Sequence, residues 1–310
     1  MPNEDLSGRS IAGYRLVSRV GEGGTATVYS ADHPDHGRCA VKILKQRTRN
    51  DPTAVKRFLR EAGYGARVQH SSVVCTYDYG EEDGIDYLAL EWVDGESLSQ
   101  FVNRSGRLAP PLVAHIVGQL ANGLNAAHSV GIIHRDLKPE NVVYDPTTRT
   151  AKLLDFGIAR DAQEPASERL TRTGFFVGTL QYVAPEALSG ELVEEPADIF
   201  SLAKITYFLL TGVQPHPGRS PREVFHQLLT QPPVPLNQAV KGLTFPAELE
   251  AAVMKGLERN PSDRHATVLE FAEHVARGVD SADEPPKARG GLLDTLKSLV
   301  RDRKGKAGTE

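Results

Sequence analysis

The apolar pattern of this chain changes period once, at Asp94-Gly95, and that change constrains the fold more than any other feature. Before it, residues 14–20 alternate with period two, Gly21, Gly23 and Gly24 interrupt, and Thr27-Val28-Tyr29 resumes. Residues 38–44 and 86–93 read as further strands. One helix lies between them, with Asp51 as cap, Pro52 at its first position, and Val55, Leu59, Ala62 and Ala66 on its apolar face. After the change, Val113, Ile116, Val117, Leu120, Leu124 and Ala127 mark a long amphipathic helix ending before Gly131. Residues 197–210 form a helix apolar on most sides, and helical patterns recur near 222–229, 247–258 and 266–277. The chain reads as α+β, a small β-rich part joined to a larger helical part by a hinge near 91–94. A cleft between the two is the natural place for a ligand.

Charge and composition remove several classes. Thirty-six basic against forty acidic residues give a net charge of -4, so no global field holds nucleic acid. With 40% hydrophobic and 25% charged residues, the chain is neither disordered, collagenous nor a coiled-coil rod. Cys39 and Cys75 cannot staple 310 residues and read as free thiols of a reducing compartment. The first ten residues show no signal-peptide pattern, and no stretch approaches ~18 uninterrupted apolar residues. A cytoplasmic location is expected.

The motifs differ in strength. Gly21-Glu22-Gly23-Gly24-Thr25-Ala26-Thr27-Val28 lies between two strands; its glycines either bring backbone N–H groups close to phosphate oxygens or simply make a turn. Lys42 sits mid-strand and reads alone as a solvated lysine, but Glu61 on the following helix offers the carboxylate a buried lysine needs. His134-Arg135-Asp136-Leu137-Lys138-Pro139-Glu140-Asn141 packs an acid, a base and a carboxamide into eight residues. Asp155-Phe156-Gly157 and Ala184-Pro185-Glu186 follow.

In this order the motifs resemble those of the eukaryotic-like protein kinases, most closely the bacterial serine/threonine kinases. The resemblance runs from about Tyr14 to Gly278. It implies a bilobal protein-kinase-like fold: an N-terminal extension (1–13), an N-lobe (14–93), a C-lobe (94–278), and a linker with a basic amphipathic tail (279–310). It implies ATP and Mg²⁺ (Mn²⁺ as alternative) as cofactors and protein hydroxyls as substrates. Val20, Gly21, Glu22, Gly23, Gly24, Thr25, Ala26, Thr27 and Val28 would cover the nucleotide. Lys42 would pair with its phosphates, held by Glu61. Glu91 and Val93 would meet adenine through the hinge backbone, with Leu90 as gatekeeper and Val28, Ala40 and Val143 as apolar walls. Asn141 and Asp155 look like Mg²⁺ ligands, and Asp136 like the residue that orients the substrate hydroxyl. Lys138 would neutralise the moving phosphoryl group, and Thr179 would bond Asp136 and Lys138. Arg264 resembles the arginine that pairs with Glu186, and Asp198 the aspartate that braces the catalytic loop.

The same resemblance implies autophosphorylation at Thr171 and Thr173, with Arg135 as partner of the phosphate, and allows a homodimer. Three departures stand out. Ala26 replaces the third glycine and should stiffen the loop tip. Ala203 stands where glycine is common, tightening a helix contact. His216 replaces a phenylalanine and reads as a surface detail. Gly63 and Gly65 should leave the Glu61 helix marginally ordered. A pseudokinase would show damage at Lys42, Asp136, Asn141 or Asp155, and all four are intact. A small-molecule phosphotransferase would not need Gly178-Thr179 or Ala184-Pro185-Glu186. In the tail, Leu292, Leu293, Leu296, Leu299 and Val300 share a helical face flanked by Lys297, Arg301, Arg303, Lys304 and Lys306. Docking on protein is favoured there over peripheral contact with an anionic membrane.

Overall fold

The computed structural model describes residues 5–154, 180–189 and 193–281. Strands β1 (Ser10–Ile11), β2 (Tyr14–Glu22), β3 (Ala26–His33), β4 (Gly37–Leu44), β5 (Thr76–Glu82) and β6 (Ile85–Glu91) form one antiparallel sheet in the order β1-β2-β3-β4-β6-β5. Alternation assigns the faces. Leu16, Tyr29, Ala31, Cys39, Val41, Ile43, Tyr87 and Ala89 pack one face into a core. The other face carries Val28 opposite Lys42, Lys42 opposite Leu88, and Ala40 opposite Leu90. Residues 5–13 belong to this lobe: Leu6 and Ile11 are buried in the same core.

Helix α1 (Gln46–Arg49) precedes α2 (Pro52–Gly65), which opens as its sequence predicts: Pro52 follows the Asp51 cap, whose carboxylate accepts from the Thr53 N–H at 2.9 Å. Its buried face is Phe58 and Ala62, flanked by Val55 and Leu59, against Leu44 and Leu88. A β-carbon on Gly63 would lie 3.1 Å from the Tyr79 hydroxyl, and one on Gly65 3.0 Å from Thr76 Oγ1. The two glycines therefore let α2 lie close on β5.

The segment after α2 leaves the N-lobe. Val68 and Val73 are buried in the C-lobe core, Val74 N–H donates to Leu153 O (2.9 Å), and Leu153 N–H to Ser72 O (2.8 Å). This segment and the hinge both join the lobes. In the C-lobe a small sheet, β7 (Glu96–Ser97), β8 (Val142–Asp145) and β9 (Thr150–Leu153), lies beside α3 (Leu98–Ser105) and α4 (Pro110–His128). Helices α5 (Pro185–Ser189), α6 (Glu195–Thr211), α7 (Pro221–Thr230), α8 (Ala247–Gly256) and α9 (Val268–Asp280) complete it. The helices expected at 113–127, 197–210, 222–229, 247–258 and 266–277 are these, with ends shifted by a few residues. Among the described residues no helix is long and apolar enough to cross a membrane.

Helix α6 is the axis of the lobe, buried around nearly its whole circumference. Ala203 meets Gly256 of α8, where an added β-carbon would come within 2.7 Å, so a glycine on the partner helix makes the room that Ala203 takes. Lys204 is fully buried, and His216 is 4% exposed rather than a surface detail. The Lys204 ammonium donates to His216 Nδ1 at 3.5 Å and faces the Phe200 ring at 5.6 Å, with no carboxylate partner among the described residues. Burial pulls Lys204 down to about 7 and, together with the Lys204 charge, His216 down to about 3. Between about 7 and 10.5 the unfolded chain binds the lysine proton more tightly than the folded one, so this residue makes stability rise with pH across that window. Lys204→Met removes a buried charge at equal reach and is expected to stabilise the protein at pH 7 by about 1–4 kcal/mol. Urea unfolding at pH 7 and pH 9 reads both effects: a gain at pH 7 and a flatter pH dependence in the variant.

Candidate active site

The catalytic-loop motif occupies the turn between α4 and β8, where the backbone has no ladder partners of its own. Asp198 near the start of α6 supplies them: its carboxylate accepts from the His134 N–H (2.9 Å), the Arg135 N–H (3.0 Å) and His128 Nε2–H (2.8 Å). Burial alone would raise this carboxyl, but the His128 bond, the imidazoles of His134 and His128 and the His134 N–H outweigh it and hold it below the usual range. Arg135 takes φ of +62°, a strained turn for a side-chain-bearing residue, fixed by these bonds. Asp136 N–H then donates to His134 O (2.8 Å), which sets the next side chain.

That side chain is the centre of the site. Asp136 Oδ2 accepts from Lys138 Nζ at 2.7 Å and Asn141 Nδ2 at 3.0 Å, and Asn141 Nδ2 also reaches Asp136 O at 2.9 Å. Asn141 sits in a 3₁₀ turn (Pro139–Asn141), and its carbonyl accepts from the Leu154 N–H. Its amide nitrogen is committed to Asp136, which leaves the carboxamide oxygen as a hard donor suited to Mg²⁺.

The roof of the cleft is the half-buried sheet face bearing Val28, Ala40 and Lys42. Gly21 pairs with Val28 and Glu22 with Thr27, so Gly23, Gly24 and Thr25 are the exposed tip. Lys45 N–H donates to Thr25 O, Arg47 to Gly24 O, and Lys45 pairs with Glu22 at 2.6 Å, tying the tip to the end of β4. Ala26 is not at the tip: it is buried as the first residue of β3, opposite Leu44. Thr27 is also buried, its side chain on the opposite face from Val28, so only its backbone belongs to a nucleotide site. Val20 is 49% exposed, an apolar side chain left uncovered beside the hairpin.

Glu61 lines a small cavity with Ala62, Leu88, Leu90 and Leu153, beside β6, the strand next to the one that carries Lys42. At the hinge, β6 ends at Glu91, two residues short of the expected strand. The Glu91 side chain bonds the Cys75 N–H and Lys152 Nζ, while Arg38 stacks on Trp92 at 3.7 Å. Val143 lies opposite Lys152 on the outward face of β8–β9, the floor beneath the hinge. Gly95 closes the hinge at φ +119°, where a β-carbon would strike Tyr144 O at 2.4 Å. Asp155, Thr171, Thr173 and Thr179 lie outside the described residues, as does the tail beyond 281.

Glu186 and Arg264 lock the floor. The guanidinium donates Nη1 and Nη2 to the two carboxylate oxygens at 2.7 and 2.8 Å, and its remaining donors reach Glu258 O, Pro196 O and Arg259 O. Both groups are about 4% exposed. Lys204 and His216 were not legible as buried polar groups; only the break that Lys204 makes in an apolar helix hints at them.

A protein kinase domain model matches residues 14–275. The serine/threonine-protein kinase PknB of Mycobacterium leprae is 37% identical over 93% of this chain, and Pkn3 of Myxococcus xanthus 33% over 90%. The crystal structure of the Mycobacterium tuberculosis PknI kinase domain superposes with a TM-score of 0.69 at 31% identity, covering 88% of this chain and 98% of that one. The chain belongs to the protein kinase family and has its bilobal fold. It spans about half the length of the curated relatives it matches, 46% for PknB and 53% for Pkn3.

Glu186→Gln leaves the buried Arg264 cation without its charge partner and is expected to cost about 3–5 kcal/mol of stability. Denaturant unfolding measures it, and a loss well under 1 kcal/mol would remove the pair from this role.

Proposed function

We propose that this chain is an ATP-dependent serine/threonine protein kinase that transfers the γ-phosphoryl group to protein hydroxyls. The observation that carries the reading is Asp136, held by Lys138 and Asn141 beneath a sheet face that presents Lys42. Phosphoryl transfer needs positioning and charge neutralisation more than covalent help. In this reading Asp136 would orient a hydroxyl and accept its proton, Lys138 would meet charge on the phosphoryl oxygens, and Lys42, held by Glu61, would anchor the phosphates. Asn141 and Asp155 would hold Mg²⁺, which when bound neutralises phosphate charge. The serine/threonine class rests on the names of the relatives and on Lys138.

Autophosphorylation at Thr171 or Thr173 belongs to the same proposal. Arg135 supports it: its Nη2 makes a long bond to Val193 O (3.3 Å) and its buried Nε has no partner among the described residues. A phosphate adds about -1.5 to -2 charge and would complete this guanidinium. A cytoplasmic site of action, a homodimer in autophosphorylation, and protein docking by the tail complete the reading; fractionation and sedimentation test them.

Purified chain with Mg²⁺ and γ-labelled ATP is expected to label itself and a serine/threonine peptide, with mass spectrometry finding phosphate on Thr171 or Thr173. Asp136→Asn is expected to lower transfer by about 10²–10⁴-fold with stability unchanged. No transfer by the folded wild-type chain would make it a binding scaffold instead.

A further inference from the structure

A second constellation lies in the C-lobe, in the first half of α9 and the turn before it, and the kinase reading gives it no task. Three side chains converge there. His265 Nδ1 and His274 Nδ1 are 3.1 Å apart, His265 Nδ1 and Glu270 Oε1 3.7 Å, and His274 Nδ1 and Glu270 Oε1 4.0 Å. These are the only such group of potential metal ligands among the described residues. A circle through three points so separated has a radius of about 2.1 Å, which matches Zn–N and Zn–O bonds of about 2.0–2.2 Å.

Each of the two inner ligands is oriented by a partner of its own. His265 is 2% exposed, and its Nε2–H donates to Ala252 O at 3.0 Å, which leaves the Nδ1 lone pair facing the other two groups. Glu270 Oε2 accepts the Ala266 N–H at 2.8 Å, and its own N–H goes to the Thr267 cap. Capping uses Oε2; Oε1 accepts from Lys255 Nζ at 3.5 Å and the two imidazoles share a hydrogen bond, contacts that a bound cation would replace. His274 follows Glu270 by one helical turn and is one-third exposed, which leaves an approach from solvent.

We propose that His265, Glu270 and His274 form a binding site for a borderline divalent transition-metal ion, zinc foremost, with a fourth position open to water. Two imidazoles and one carboxylate suit Zn²⁺ and not Mg²⁺, which demands oxygen ligands, so the site is chemically separate from the nucleotide cleft. The ion would clip the turn that carries Arg264, the residue bonded to Glu186, onto α9. Two features oppose it and lower its affinity: the positive end of the α9 dipole, and Lys255, whose ammonium sits 3.5 Å from Glu270 Oε1 but is 45% exposed and able to swing away.

Titration of the full untagged chain with Co²⁺, a coloured stand-in for Zn²⁺, tests the site through visible d–d absorption. One saturable equivalent with tetrahedral-type bands is expected, displaced by Zn²⁺, with Zn²⁺ also raising Tm. His274→Ala removes an exposed ligand, and Glu270→Gln keeps a capping oxygen but loses the charge; each is expected to weaken binding at least about tenfold. Lys255→Met is expected to tighten it, and Asp136→Asn to leave it unchanged. Absence of saturable binding, equal affinity in His274→Ala, or loss of the signal in Asp136→Asn would overturn the proposal.

Discussion

The backbone of the candidate catalytic loop hangs on one buried carboxylate, Asp198. The loop from His134 to Asn141 is irregular, so its amides have no ladder to bond, and burying them unpaired would cost about 1–3 kcal/mol each. Asp198 answers two of them and His128 at once. It can do so because α6 runs through the centre of the lobe, so the carboxylate stands on the most enclosed element available. The loop is thereby referenced to the core rather than to the surface, and Asp136 inherits that position.

The second dependence is between the lobes. The hinge is one connection; the other is the segment around Ser72–Val74, hydrogen-bonded to β9 and buried through Val68 and Val73 in the C-lobe core. Because α2 leads directly into that segment, the helix that carries Glu61 is anchored at its end to the lobe that carries Asp136. Lys152, bonded to Glu91, ties β9 to the hinge in the same way.

Much of this was legible beforehand, for identifiable reasons. Asp51-Pro52 announces a helix start because capping and the fixed proline φ act locally. The candidate catalytic residues stand out in the sequence because the chemistry they would perform fixes their types and their order. What failed was what depends on packing between distant segments. That Gly63 and Gly65 make room for Tyr79 and Thr76 shows only once β5 is in place. His216 looks like surface until Lys204, twelve residues earlier, is found buried beside it. Ala203 is intelligible only with Gly256, and Ala26 only with the β3 register. The meeting of His265 with Glu270 and His274 depends on how a turn enters a helix, which no spacing rule supplies.

The central claim is that Asp198 holds the catalytic loop through two backbone amides, and amide hydrogen exchange at His134 and Arg135 tests it most directly. In Asp198→Asn one amide loses its acceptor and faces an N–H group instead. The account predicts that exchange at these two positions speeds up at least about tenfold while the interior of α6 keeps its protection. Unchanged protection at both amides in a folded variant would contradict it.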